Sequence, residues 1–519
     1  MAYDAVSLPE DVDTLKALLL EKQGRIDHLE AKNALLQEQL HLAIARRYAA
    51  RSEKIAPDQL RLFNEAEVDA QSVTPVIDGE TESSDTVTIA AHTRTAKRGR
   101  KPLPATLPRV DIVHTLADAQ RVCDHDGARL QEIGEVISEQ LDIIPAQIQV
   151  LRHIRKKYAC ACGQCVKTAP LPGQPIPKSL ASAGLLAHVV VSKYQDALPL
   201  YRQEHILQRI GIDLPRATLA NWMIQAGTLI QPIINLLRDR LLAYDILQMD
   251  ETTVQVLDEP NKNAQSNAYL WVQRGGPPDK PVLLFDYDPS RSQAVPQRLL
   301  EGFAGYLQTD GYDGYNTAVT DYALRHVGCF AHARRKFTEA IKAQGKHATH
   351  GKAHHALDLI QKLYKVEKPL RGATAQDRFE QRQQHAKPII NKLHGWLIQT
   401  LPQVPPKAAL GKALHYLHNE WDKLIRYLDD GRLEIDNNLA ENAIRPFVVG
   451  RKNWLFSQSV AGVKASANLY SLIETAKANA LEPYAYLRYL FTHLPTAHSV
   501  EEIEKLLPGN IKTEHITAF

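Results

Sequence analysis

The 519-residue chain has no uninterrupted apolar run of the roughly 18 residues needed to cross a bilayer. Its start also lacks the basic-then-apolar pattern of a secretory leader, so the sequence predicts a cytoplasmic protein. Cysteine is scarce, and its odd total of five argues against a disulfide framework. Four of them, Cys123, Cys160, Cys162 and Cys165, fall in one short region, a spacing that favours a metal over a disulfide. Charge of one sign is missing locally. Between Phe63 and Arg94 there are seven acids and no Lys or Arg, and from Arg94 to Arg109 six bases and no acid. A formal net charge of +3 hides this polarity, which reads as an acidic linker running into a basic arm over residues 64–108. That stretch has too little apolar content for a core and is expected to order only with a partner. The remainder is ordinary globular composition, 44% hydrophobic and 23% charged, in a chain long enough for several α+β domains.

Residues 10–48 have heptad spacing. Val12, Leu19, Ile26, Asn33 and Leu40 take a positions, and Leu15, Lys22, Leu29, Leu36 and Ala43 take d positions. This predicts a two-stranded coiled coil with Asn33 setting its register, hence a homo-oligomer of at least two chains. In the basic arm, Lys97-Arg98-Gly99-Arg100-Lys101-Pro102 resembles an AT-hook, whose Arg98 and Arg100 would enter a narrow minor groove. Residues 110–175 read as a small zinc-ribbon-like module with strands at Gln140–Ile144 and Gln147–Leu151. One knuckle offers Cys123 with His125 or Asp126, and the other offers Cys160, Cys162 and Cys165. A Cys₃His site for Zn²⁺ fits those donors, and a metal-free knuckle is the alternative. Residues 178–243 read as helical, with Leu200–Ile210 and Pro215–Ala226 joined by a Gly-containing turn and Gly227 as a stop. This is helix-turn-helix spacing, with Arg216, Thr218 and Asn221 at the start of the second helix as DNA contacts.

From residue 244 the pattern changes to strands. Ile246–Val254, Tyr269–Arg274 and Val282–Tyr287 read as a meander, followed by a helix at Gln293–Phe303. A fourth strand ends at Asp310 and a fifth covers His326–Phe330. An Asp on the first strand and another on the fourth is the order of a ribonuclease-H-like α/β core, here assigned to 244–344. A helical insertion at 345–430 and C-terminal helices at 431–495 follow, and 496–519 is a tail. Asp250, Asp310 and Glu441 then form a hard-oxygen set suited to Mg²⁺ or Mn²⁺. Each has a plainer explanation: a strand end, an Asp-Gly turn, a capping box with Asn438. Asp313 competes with Asp310, and Glu434 and Asp436 compete with Glu441. Arg334, Arg335 and Lys336, with Arg445, Arg451 and Lys452, would hold phosphates nearby. Trp454 and Phe456 either stack on a base or pack in the core.

The order of several long motifs resembles the transposases of the insertion-sequence sixty-six family, a branch of the DDE transposases. They include Lys178-Ser-Leu-Ala-Ser-Ala-Gly, Met249-Asp-Glu-Thr, Tyr306-Leu-Gln-Thr-Asp-Gly-Tyr, Gly328-Cys-Phe-Ala-His-Ala-Arg-Arg-Lys-Phe and Asp436-Asn-Asn-Leu-Ala-Glu-Asn. The resemblance implies a zipper, a zinc module, a DNA-binding region and a metal-dependent core with Asp250, Asp310 and Glu441 as catalytic triad. It also implies a Cys-x-x-His pair at Cys329 and His332, structural or chemical. Expected partners are the element's terminal inverted repeats, target DNA and small proteins encoded by the same element. A ribonuclease-H-fold nuclease or resolvase, and an inactive DNA-binding regulator, are the competing readings.

Overall fold

The computed structural model describes residues 11–48, 148–159, 166–344 and 350–516. They fall in two compact units, Met1–Arg51 with Pro170–Phe519, and Ser52–Ala169. The described part of the second unit is a ribbon of β1 (Lys157–Ala159) and β2 (Val166–Thr168), antiparallel with Lys157 opposite Thr168. The expected strand at Gln147–Leu151 is not formed over 148–151, whose residues are exposed and have no sheet partner among the described residues. The basic arm with Arg98 and Arg100, Cys123, His125, Asp126, Cys160, Cys162, Cys165 and the strand proposed at Gln140–Ile144 lie outside the described residues.

In the first unit, α1 (Val12–Tyr48) is one long helix. Leu19, Ile26, Leu29, Leu36 and Leu40 of its heptad seam are all exposed. Its Glu38 carboxylate accepts from the backbone N–H of Ala409 at 3.0 Å. The helical region that follows comprises α2 (Ala183–Tyr194), α3 (Leu200–Arg209), α4 (Arg216–Leu229) and α5 (Gln231–Leu242). Ser182 caps α2 by accepting from Leu185 N–H, and Glu204 of α3 accepts from Arg216 N–H at the start of α4. Gly227 does not stop α4, which continues to Leu229. A Cβ there would meet Cβ of Ala465 at 2.6 Å, so glycine is required by close helix packing.

The central sheet has the order β5-β4-β3-β6-β7. β3 (Ile246–Asp258), β4 (Asn267–Gly275) and β5 (Val282–Asp288) form the antiparallel meander read from the sequence. After α6 (Ala294–Leu299), the chain returns as β6 (Tyr306–Gln308), parallel to β3. A short helix, α7 (Asn316–Asp321), leads to β7 (Arg325–Val327), parallel to β6. The fifth strand is thus shorter than expected, because Phe330 already opens α8 (Phe330–Gln344).

The inserted region contains α9 (Lys352–Glu367), α10 (Ala375–Gln381), α11 (Lys387–Thr400), α12 (Ala409–Asn419) and α13 (Trp421–Ile425). With α8 these helices enclose their own core around Phe337, Leu363, Leu393, Leu414 and Tyr427. The chain then enters α14 (Asn438–Trp454), a short β8 (Ser457–Ser459), α15 (Val460–Ala478) and α16 (Pro483–His493). α15 covers the free edge of β5. Thr475 Oγ1 accepts from Leu283 N–H at 3.0 Å, Ser471 Oγ from Phe285 N–H at 2.7 Å, and Asn479 donates to Pro281 O at 2.8 Å. Spaced four apart on one helix face, these side chains satisfy a strand edge that would otherwise invite pairing.

A π-helical turn at Arg382–Ala386 joins α10 to α11 and presents Arg382, which is fully buried. Its guanidinium donates to both Glu367 oxygens, at 2.9 and 2.7 Å, and to the carbonyls of Tyr427, Asp430 and Leu433. Arg382→Met is expected to leave Glu367 with only the 3.9 Å contact of Arg378 and to cost about 3–5 kcal/mol, measured as a shift in urea unfolding. A second expectation concerns His326 on β7, buried, with Nε2 2.7 Å from Thr309 Oγ1. Burial, reinforced by the charges of Lys423 and Arg426, pushes its pKa from 6.5 down to about 3. The folded state therefore holds it neutral while the unfolded chain takes up a proton below its ordinary pKa. Its contribution is fully present above about pH 6.5 and is lost toward pH 3, at roughly 1.4 kcal/mol per pH unit. Denaturant melts of His326→Asn between those limits should show a shallower loss of stability on acidification than the native chain.

Candidate active site

The same tetrapeptide pattern occurs twice, Leu247-Gln248-Met249-Asp250 in β3 and Leu307-Gln308-Thr309-Asp310 after β6. Parallel pairing sets Leu247 opposite Leu307 and Gln248 opposite Gln308, so each Asp stands two residues beyond a matched pair. The buried glutamines bond across the strands, Gln248 Nε2 donating to Gln308 Oε1 at 2.7 Å. Gln308 Nε2 in turn donates to Glu434 O at 2.8 Å and Gly328 O at 3.2 Å. Past β6 the chain turns sharply, with Asp310 Oδ1 accepting from Tyr312 N–H at 3.0 Å. Gly311 lies under the Tyr416 ring of α12, where a Cβ would come within 2.8 Å.

Beyond Gln248, β3 loses its β6 partner and regains one, β8, only at Val256. α14 lies along this gap. Asn437 Nδ2, at its N-cap, donates to Met249 O at 2.8 Å. Arg451, in its last turn, donates to Thr253 O and to the hydroxyls of Thr252 and Thr253. Glu441, in the first turn, is thereby held near Asp250.

Asp250 is held well above the usual carboxylate range, first by burial and then by the negative charges of Glu251, Glu441 and Asp310. Among the described residues, no basic side chain pairs with Asp250 to offset these charges. Glu251, on the opposite face of β3, is better provided. It pairs with Arg291 and accepts from Tyr315 OH at 2.7 Å, although burial still raises its pKa. Arg291 lies 3.8 Å over the Tyr312 ring, and Tyr312 OH donates to Arg291 O. Glu251 therefore ties the Asp310-bearing turn to β3.

On Glu441, Oε1 lies 3.6 Å from His332 Nδ1 and Oε2 3.7 Å from Arg335. Buried Oε1 and Nδ1 both lack a hydrogen-bond partner among the described residues. Cys329, His332 and Glu441 bring ligand-type atoms within 4.8 Å of one another. Burial pushes the Cys329 thiol well up, and its Sγ accepts from Asn437 N–H at 3.2 Å, so it serves the α14 N-terminus as a neutral acceptor. The donors left with unoffset charge are carboxylate oxygens, which suit a hard divalent cation.

The competing acids are engaged elsewhere. Asp313 is exposed and accepts from Asn316, and Glu434 pairs with Arg378 at 3.1 Å. Asp436 is buried and accepts from Tyr364 OH and from the backbone and side chain of Asn438. Burial raises its pKa to about 6. Among the basic candidates, Arg334 is half-buried, while Arg335, Lys336, Arg445 and Lys452 are exposed, and Arg451 is turned into the fold. On α4, Arg216 and Asn221 are exposed and Thr218 is half-buried. Sequence reasoning passed over Glu251, Arg291, Tyr312, Tyr315 and Asn437. The paired glutamines and the adjacent Asp250-Glu251 were legible signals for some of this, but nothing local marks Arg291.

Residues 178–465 match the family described as Transposase IS66 family, and residues 471–508 match the IS66 C-terminal element. Residues 120–163 match a zinc-finger binding domain of transposase IS66, and residues 35–112 match Transposase C of IS166 homeodomain. Among curated proteins, uncharacterized protein y4jD of Sinorhizobium fredii is 33% identical, covering 98% of each chain. Uncharacterized protein y4qI of the same organism is 31% identical over 99% of this chain and 100% of that one. With this match across the core and these full-length relatives, the chain belongs to the IS66 transposase family.

Proposed function

We propose that this protein is a DDE transposase that binds the ends of a bacterial insertion sequence and performs DNA cleavage and strand transfer on a ribonuclease-H-like core. The observation that carries the reading is the parallel register that leaves Asp250 and Asp310 each two residues beyond a matched pair, with the charges of Glu441 on α14 and of Asp310 both acting on Asp250. The sheet order, with antiparallel β3 to β5 and parallel β6 and β7, supports the ribonuclease-H-like assignment.

Asp250, Asp310 and Glu441 would hold Mg²⁺ or Mn²⁺. Such ions supply an activated water or 3′-hydroxyl and stabilise the leaving oxygen of an in-line displacement. The chain's own residues do the rest. Arg335, Lys336 and Lys452 offer exposed cations for phosphates around the site, and Glu251 fixes the turn that carries Asp310. His332 Nδ1 lies 3.6 Å from the Glu441 carboxylate without a hydrogen bond to it. Upstream, α3 and α4 would dock on duplex DNA as a helix-turn-helix through Arg216, Thr218 and Asn221. The exposed seam of α1 would pair with a second copy, and the cysteine module would bind Zn²⁺ as a Cys₃His site through Cys123, His125 and two of Cys160, Cys162 and Cys165.

The test is a strand-transfer assay with full-length protein and a pre-cleaved terminal repeat. Asp310→Asn and Glu441→Gln should each lower Mg²⁺- or Mn²⁺-dependent joining by at least about 100-fold while end binding persists, and chelation should abolish joining in the native chain. Undiminished joining by either variant would sink the reading. Cleavage without any joined product would point to a nuclease or resolvase instead.

A further inference from the structure

Glu441 opens α14, and the helix closes in an unusual turn. Leu455 has φ 65° and ψ −50°, and Phe456 N–H reaches back to Trp454 O at 2.8 Å. This is the rarer, strained form of γ-turn, occupied here by a leucine rather than a glycine. The strain does not serve burial. Leu455 is 64% and Phe456 41% exposed, whereas Trp454 folds back on the Phe447 ring at 5.4 Å. Two apolar side chains are thus held out in solvent, next to exposed Lys452.

Beneath this ridge is a cavity of about 160 Å³, lined by Lys193, Met223, Trp454, Phe456 and the hydroxyl-bearing Ser457 and Ser459. The Lys193 ammonium lies 5.4 Å from the Trp454 ring centroid and 5.2 Å from that of Tyr194. Burial alone lowers its pKa to about 8, with no charged neighbour contributing. A half-buried cation held by aromatic faces and lacking a carboxylate among the described residues is short of an anion. An exposed aromatic beside it offers a stacking surface. One unpaired nucleotide supplies both complements, a phosphate and a base.

We propose that the Lys193–Phe456 pocket seats a single nucleotide of an unpaired DNA strand, its base on Phe456 and a phosphate on Lys193, with Leu455 as the wedge that parts it from the duplex. This rests on the DNA-transfer reading above and extends it to a second contact. Thirteen residues of α14 separate Glu441 from Trp454, which at about 1.5 Å per residue is about 20 Å. That corresponds to about six steps along a B-form strand, so the pocket meets DNA away from the reacting phosphate. Apolar side chains inserted at a base step and aromatic platforms for single strands both operate without sequence preference.

Fluorescence anisotropy of the full-length protein tests this, using a blunt duplex and the same duplex with a short oligo-thymidine overhang. The native chain should prefer the overhang. Phe456→Ala should lower overhang affinity by about ten-fold and leave blunt-duplex affinity unchanged, and Phe456→Trp should restore it. Lys193→Met should reduce the salt dependence of overhang binding by about 0.7 in log–log slope, a change Phe456→Ala does not share. Thermal melts matching the native chain establish that both variants fold. If native protein binds both duplexes and neither variant alters overhang affinity or slope, the pocket is not a nucleotide site, while the transposase reading stands. If Phe456→Ala or Leu455→Ala changes the oligomeric state in light scattering and spares overhang binding, the ridge is a contact between copies. If the native chain binds neither duplex at low salt, the DNA reading itself fails, and this inference with it.

Discussion

The seam between β3 and α14 is the constraint on which the rest of the site depends. A strand in mid-sheet normally meets its backbone bonds with another strand, yet β3 runs free on one side between Gln248 and Val256. Buried carbonyls there need donors, and an unmet one costs about as much as a lost hydrogen bond. The helix supplies them from side chains at its two ends, Asn437 to Met249 O and Arg451 to Thr253 O. Two anchors on a rigid rod fix both its position and its rotation, and Glu441 one turn in from the first anchor follows. Arg451 therefore contributes by desolvated backbone contact, whatever DNA does on the outer face.

That seam brings together groups that repel. Asp250 is buried with three other carboxylates in reach, an arrangement that costs stability unless a cation or a proton relieves it. The surroundings are graded accordingly. Glu251 has Arg291 and Tyr315, Glu441 has His332 and Arg335 at longer range, and Asp250 has, among the described residues, like charges and the Glu251 N–H. Neutralising Glu251 locally keeps it structural, which leaves Asp250 crowded by like charge. A divalent cation held as proposed above would relieve these unfavourable electrostatics.

Much of this was legible because it is local. The alternating strands, the long heptad helix and the helical insertion carry their periodicities in the chain, and the Leu-Gln-x-Asp pattern occurs on the two strands that pair. What was missed is long-range. Gly227 looks like a helix stop, and only the approach of Ala465, far along the chain, explains why it sits inside a helix. The stretch at 148–151 alternates like a strand but finds no partner among the described residues. Arg451 and Arg335 are the same residue type, and both read from the sequence as phosphate contacts. One faces β3 and the other solvent, a difference set by helix rotation that charge patterning cannot supply.

The insertion, too, acquires a physical reason. Between Tyr427 and Asn437 the chain has no long helix or strand to position it, yet it must deliver α14 in register with β3. Arg382 and Arg378 grip it from one side, bonding to carbonyls at Tyr427, Asp430 and Leu433 and to the Glu434 carboxylate. Arg432 ties it to Asp245, the residue just before β3, and Gln308 to the Glu434 carbonyl. Glu367 neutralises Arg382 from α9, so the grip depends on the inserted helices folding around it. An inserted domain of this size therefore acts on the site through one strap, and Tyr416 of α12, closing over Gly311, extends the same control to Asp310. The insertion thus braces the strap before Glu441 and the turn at Asp310, alongside the ties each has to β3.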